Sequence, residues 1–133
     1  MWNTIHRVGA VSLVAIVGTQ AVIAGQHIFG DWGIGLHAAL GNAAFTVAVL
    51  MTVVSWWKLD SGSLRIVGVT ITVLVSAQIG LGYSSRDSES AAALHIPLGV
   101  AVFGAVVYQL LAAWPTLLSR GPMPAGAPRP EKD

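Results

Sequence analysis

Four stretches of this chain, each close to the roughly 20 residues a helix needs to cross a hydrocarbon layer, carry almost no charge. They run from about Thr4 to Ala24, Leu36 to Trp57, Leu64 to Tyr83 and Ala91 to Trp114, and each is followed by polar, Gly- or Pro-containing sequence. Backbone groups in hydrocarbon must be hydrogen-bonded within their own segment, so these runs are helices and not strands. Short connections make sequential neighbours antiparallel. The chain has 133 residues, of which 54% are apolar and 10% charged. A soluble domain carries about 25% charged residues, so these cannot cover a water-facing surface of this size. The expectation is an all-α membrane protein: an antiparallel four-helix transmembrane bundle over residues 1–116, with the lipid bilayer as its solvent. The stretch 117–133 is Pro- and Gly-rich from Gly121 onward and reads as a disordered tail.

Charge narrows the function and sets the orientation. The formal net charge is +1 and no basic patch is present to neutralise phosphates, so nucleic acid is not an expected partner. With no cysteine, disulfides, thiolate metal sites, iron–sulfur clusters and covalent c-type haem attachment are excluded. Arg7, Lys58, Arg65, Arg120, Arg129 and Lys132 fall on one side of the four spans, and Arg86 alone falls on the other, in a loop with Asp87 and Glu89. The positive-inside rule therefore puts the N terminus, the middle loop and the C terminus in the cytoplasm, and residues 26–35 and 84–90 outside, in a multi-pass protein of a bacterial cytoplasmic membrane. Trp2, Trp56, Trp57 and Trp114 cluster at the cytoplasmic ends, where amphipathic rings prefer the interface, while Trp32 lies near the other face. The first run also has features of a signal peptide, with a basic start and small residues around Ala24. Its length and its place in an internal repeat favour a span.

That repeat has an offset of 58 residues. Gln20 matches Gln78, Leu36-His37 matches Leu94-His95, Gly41 matches Gly99, and the step from Gln to His is 17 residues in both halves. Each half is one helical hairpin, and the two are parallel repeats about an axis along the membrane normal. His37 and His95 are thus expected at one depth in the outer leaflet, on helices that face each other across the bundle. An ionisable group in a span is expensive, faces the interior and is usually functional. Two imidazoles at equal depth can serve one centre, and neutral imidazole is a good axial ligand for haem iron. Gly41 and Gly99 lie one turn deeper on the same helix faces as the histidines. They let a flat ring lie against the backbone, or they permit close helix packing. Gln20 and Gln78 either hydrogen-bond the free N–H of a ligating imidazole or form plain interhelical hydrogen bonds, with the packing role favoured. Arg86 is a partner for a propionate, for Asp87 or Glu89, or is solvated. His6, beside Arg7, reads as an interfacial residue, and His27 as a solvated residue near the first outer loop.

These residues resemble a known family. A four-helix bundle with His near the outer starts of helices two and four, and His6-Arg7 at the start of helix one, looks like one half of the haem A synthase family, whose eight helices form two such bundles. The resemblance covers about residues 4 to 114 and is carried by His6-Arg7, Gln20, His37, Gln78 and His95. It implies one haem b held between His37 and His95. The chain departs from the family in three ways: it has a single bundle, Ile34 stands where the family has a glutamate three residues before the first of these histidines, and the first outer loop has no cysteine pair, Asp31 being its only acid. These departures argue against haem A synthesis by this chain alone.

Intramembrane Asp and Glu are missing from the spans and the serines have no paired base, so an independent catalytic activity is not expected. The first reading is a small b-type cytochrome passing single electrons near the outer surface, to or from a quinone or within a larger respiratory or redox complex. The alternatives are a non-catalytic accessory or assembly subunit of a membrane complex and a pigment-binding subunit. Orientation is directly testable. A phosphatase reporter that is active only outside the cytoplasm should work when inserted between Ser84 and Ser90 and stay silent when fused after Asp133. The reverse pattern would invert the topology.

Overall fold

The computed structural model describes residues 1–30 and 33–114, with the backbone alone for residues 27–29. The tail at 117–133, Asp31 and Trp32 lie outside the described residues. The described chain is four helices, α1 (Trp2–Phe29), α2 (Ile34–Lys58), α3 (Gly62–Ser84) and α4 (Glu89–Ala113), each long and apolar enough to cross a membrane. They extend beyond several of the apolar runs that predict them, because a helix continues through interfacial residues until something stops it. Ser61 opens α3 by accepting the Leu64 N–H at 3.4 Å, and Ser88 opens α4 by accepting the Ala91 N–H at 3.3 Å. Glu89 in the first turn of α4 adds a favourable charge at the positive end of the helix dipole. Inside α4, Pro97 has no N–H to offer the Ala93 carbonyl.

The outward faces are as apolar as the interior. Val8, Ile66 and Val100 are 61%, 70% and 69% exposed. A helix that is apolar all round belongs in lipid. The core is built of alanines (Ala10, Ala44, Ala48) together with Leu13, Ile71 and Val106. Small residues matter here because lipid tails are as apolar as leucine, so helices associate through close packing and interhelical hydrogen bonds. At Gly68, a Cβ would stand 3.3 Å from Thr52 Cα, and the Thr52 and Thr72 hydroxyls meet at 3.0 Å across the same α2–α3 contact.

The hairpins α1–α2 and α3–α4 form a square. Each helix packs on its two neighbours, while α1 and α3, and likewise α2 and α4, face each other across diagonals without backbone approach. A twofold axis along the bundle relates the hairpins, and it governs more residues than the Gln, His and Gly positions. Arg7 Nε donates to the Ala113 carbonyl at 3.0 Å, and Arg65 Nε donates to the Ser55 carbonyl at 3.2 Å. Arg7 lies over the Trp114 ring at 5.1 Å, and Arg65 lies over Trp56 at 5.9 Å. Donors, acceptors and rings are all paired at the same 58-residue offset. Each arginine occupies carbonyls left over at the C-terminal end of a neighbouring helix, where the dipole is negative, and gains a cation–π contact.

His6 departs from its expected interfacial place. It is 1% exposed, inside the bundle. α1 begins at Trp2, so His6 lies a full turn within the helix, and the rotation that brings Arg7 onto α4 turns His6 inward. Gln109 is equally buried, at 1%. Among the described residues, His6 Nε2 and both amide atoms of Gln109 have no hydrogen-bond partner.

Gly68→Val should drive α2 from α3 at a cost of about 1–3 kcal/mol, the usual penalty of overpacking. Gly104→Val, where nothing lies within 4 Å of the new Cβ, should be close to neutral. Reversible unfolding in mixed detergent micelles measures both, and equal effects would contradict the close α2–α3 approach.

Candidate functional site

At the end of the bundle opposite the termini, the diagonal gap between α2 and α4 widens into a cavity of ≈ 670 Å³. His37, three residues into α2, and His95, six residues into α4, both line it and are half-buried. Their ring centroids are 6.1 Å apart and the ring planes are tilted by 59°. The backbones of α2 and α4 do not approach each other, so the two imidazoles reach into the space that the diagonal leaves.

The glutamines fix the helices at this level. Gln20 Nε2 donates to the His37 carbonyl at 3.0 Å, and Gln78 Nε2 donates to the His95 carbonyl at 2.9 Å. A carbonyl has a second lone pair beyond the one its own helix uses, so each bond adds to the helical ladder and ties one helix of a hairpin to the other. These are interhelical bonds to backbone, and not bonds to the imidazole N–H groups. The side-chain oxygens of both glutamines, and His95 Nδ1, are buried without a partner among the described residues.

The same bonds account for Gly41 and Gly99. A Cβ on Gly41 would come within 3.2 Å of Gln20 Nε2, and one on Gly99 within 3.0 Å of Gln78 Nε2. Both glycines leave room for a glutamine amide. Gly41 also lines the cavity, whereas Gly99 is not among the lining residues.

A third glycine was not singled out by the sequence. A Cβ on Gly82 would lie 3.1 Å from His95 Cε1 and 3.6 Å from His95 Nδ1, so Gly82 seats the His95 ring. Its repeat counterpart is Ala24, another small residue lining the cavity. The signal was present as a glutamine followed four residues later by a small residue, in both halves. Arg86 stands at the cavity with its guanidinium over the Tyr83 ring at 5.2 Å, and both residues line it. The His27 side chain lies outside the described residues.

Compared with known proteins, the chain matches no family model, no curated protein and no solved structure.

Among the described residues, no group of three or more His, Cys, Asp or Glu gathers anywhere, and the lining of this cavity includes no carboxylate. A closed zinc site needs four protein ligands, whereas two imidazoles suit a metal whose remaining positions are filled by a macrocycle. Replacing Gln20 or Gln78 by Leu should lower stability by about 0.6 kcal/mol each, and by no more than about 1.7, the range for interhelical hydrogen bonds in membranes. The two bonds sit on separate helix pairs, so the double variant should approach the sum of the singles. Micelle unfolding tests this, and a neutral double variant would show that the bonds do not hold the hairpins.

Proposed function

We propose that this chain is a bis-histidine b-type haem protein of the bacterial cytoplasmic membrane, carrying single electrons near the outer face, with both termini in the cytoplasm. The observation that carries the reading is the 6.1 Å separation of the His37 and His95 rings. Two imidazoles binding one metal in line at about 2.0–2.1 Å, with each ring centre ~1.15 Å behind its nitrogen, would have centroids about 6.3–6.5 Å apart.

The surroundings fit the same group. The walls are mostly apolar, as a porphyrin body requires, and the volume is within the range of about 300–1,000 Å³ common to ligand pockets. His95 Nδ1 is buried without a partner among the described residues. When bound, a haem held by two imidazoles supplies reversible one-electron exchange at an iron with no open position, which favours electron transfer over oxygen chemistry. The chain's own residues do the holding. His37 and His95 would hold the iron of such a group, Gln20 and Gln78 fix the height of the helices that present them, and Gly82 sets the lean of the His95 ring. Arg86 offers the outward cation for the carboxylates of such a group. Electrons go to or come from a quinone or a partner subunit of a larger redox complex.

The test is a reduced-minus-oxidised absorption spectrum of the purified protein, with organic extraction to identify the pigment. One haem b per chain should appear. His37→Ala and His95→Ala should each lose most of the bound haem, and Gly82→Leu, which displaces His95, should lower it. A His95→Ala variant with an unchanged, full haem spectrum would overturn the ligation.

A further inference from the structure

The twofold that relates the hairpins gives the bundle two equivalent seams, one between α2 and α3 and one between α4 and α1, and these seams differ. In the α4–α1 seam Phe103 lies against Gly18, its Cε2 3.8 Å from where a Cβ would stand, with Val100 beside it. In the α2–α3 seam the matching residues are Phe45, Ser76 and Asn42. Ser76 carries a side chain where Gly18 has none, and its hydroxyl donates to the Thr72 carbonyl at 2.8 Å. A hollow of ≈ 280 Å³ lies here, bounded by Asn42, Phe45, Ser76 and Ile79. Asn42 and Ile79 also line the cavity of the two histidines, so the hollow and the cavity share a wall.

Asn42 decides the chemistry of the hollow. It is exposed on the outward face of a membrane span, and no group of the described chain takes its side-chain hydrogen bonds. An amide without partners in hydrocarbon is costly and marks a functional position. Its repeat counterpart is valine, so the span tolerates an apolar residue at this place. The amide carries both a donor and an acceptor.

We infer that the α2–α3 seam binds the head-group of a membrane-soluble quinone beside the histidine cavity. A quinone carbonyl takes the Asn42 N–H, a quinol hydroxyl gives to the Asn42 carbonyl oxygen or to the free lone pair of Ser76, and the Phe45 ring flanks the head-group while the tail stays in lipid. The hollow favours this occupant over a partner helix. Its volume, near the lower bound of about 300 Å³ for small-molecule pockets, suits a single ring, and the Asn42 amide offers that ring both a donor and an acceptor. The inference names the electron partner of the site proposed above and rests on that reading for its purpose.

Labelling with a photoreactive azidoquinone, on the whole chain in lipid nanodiscs, tests it. Label mapped by mass spectrometry should fall on α2 and α3 between Asn42 and Ile79 and be displaced by unlabelled short-chain ubiquinone. Asn42→Val, which copies the other seam and leaves the core untouched, should weaken displacement about three- to tenfold, the loss of one hydrogen bond. Ser76→Leu, which fills the hollow, should abolish saturable labelling, and Val100→Leu should change nothing. Equal labelling of both seams, label that cannot be displaced, or an unchanged Asn42→Val variant would overturn the site. So would efficient disulfide dimers of Asn42→Cys, which would assign the seam to a second copy. The haem spectrum of each sample is read alongside. A normal spectrum with an unlabelled seam overturns the quinone site alone, and a labelled seam in a protein without haem overturns the electron-carrier reading alone.

Discussion

In a bundle whose outside is as apolar as its inside, burial of apolar surface cannot hold the helices together, and the few polar groups take on that work. Lipid offers a leucine the same environment as a neighbouring helix does. What distinguishes the assembled bundle from four separate spans is close contact at small residues, such as Gly68 against Thr52, and a handful of directional bonds. Those bonds are arranged in pairs. At the end with the termini, Arg7 and Arg65 each bind the last carbonyls of a neighbouring helix and lie over a tryptophan. At the other end, Gln20 and Gln78 each bind the backbone of a histidine. The arginines tie hairpin to hairpin, the glutamines tie helix to helix within each hairpin, and together they fix the square.

The candidate site follows from that square. Helices on a side of it are in contact, and the room for the histidine cavity lies along the diagonal between α2 and α4. The histidines are on diagonal helices, at a level where the glutamines set the relative heights, and their rings enter the space that the backbones leave between them. Gly82 then sets how far the His95 ring leans. A pair of imidazoles presented from opposite sides, at one level and among mostly apolar walls, is an arrangement that a two-hairpin repeat produces without any further device. A residue placed once in the hairpin is placed twice in the bundle, facing itself.

Departures from the repeat are as informative as its agreements. Where the halves match, the residues do symmetric jobs: arginine on carbonyl, glutamine on carbonyl, glycine beneath glutamine. Three of the places where they differ are His6 against Leu64, Gln109 against Met51, and Asn42 against Val100. The first two pairs put polar atoms that lack partners among the described residues into one side of the core at the termini end. The third puts an amide on one lipid-facing seam. Each sits where a symmetric bundle would need nothing polar, and Asn42 also shares a wall with the histidine cavity.

The spans, their number and their antiparallel order were legible in the sequence, because hydrocarbon admits only internally bonded backbone and about 20 apolar residues are enough to cross it. The 17-residue step from Gln to His was legible too, as was its repetition, which placed His37 and His95 at one level. The rotation of each helix about its own axis was not. In a soluble helix the apolar stripe marks the inward face. Here Val8, Ile66 and Val100 point outward and Leu13, Ile71 and Val106 inward, with nothing in their chemistry to tell the two sets apart. Only packing chose between those faces. It turned His6 into the core, laid Gly82 against His95, filled the space beside Gly41 and Gly99 with glutamine amides, and left Asn42 facing out.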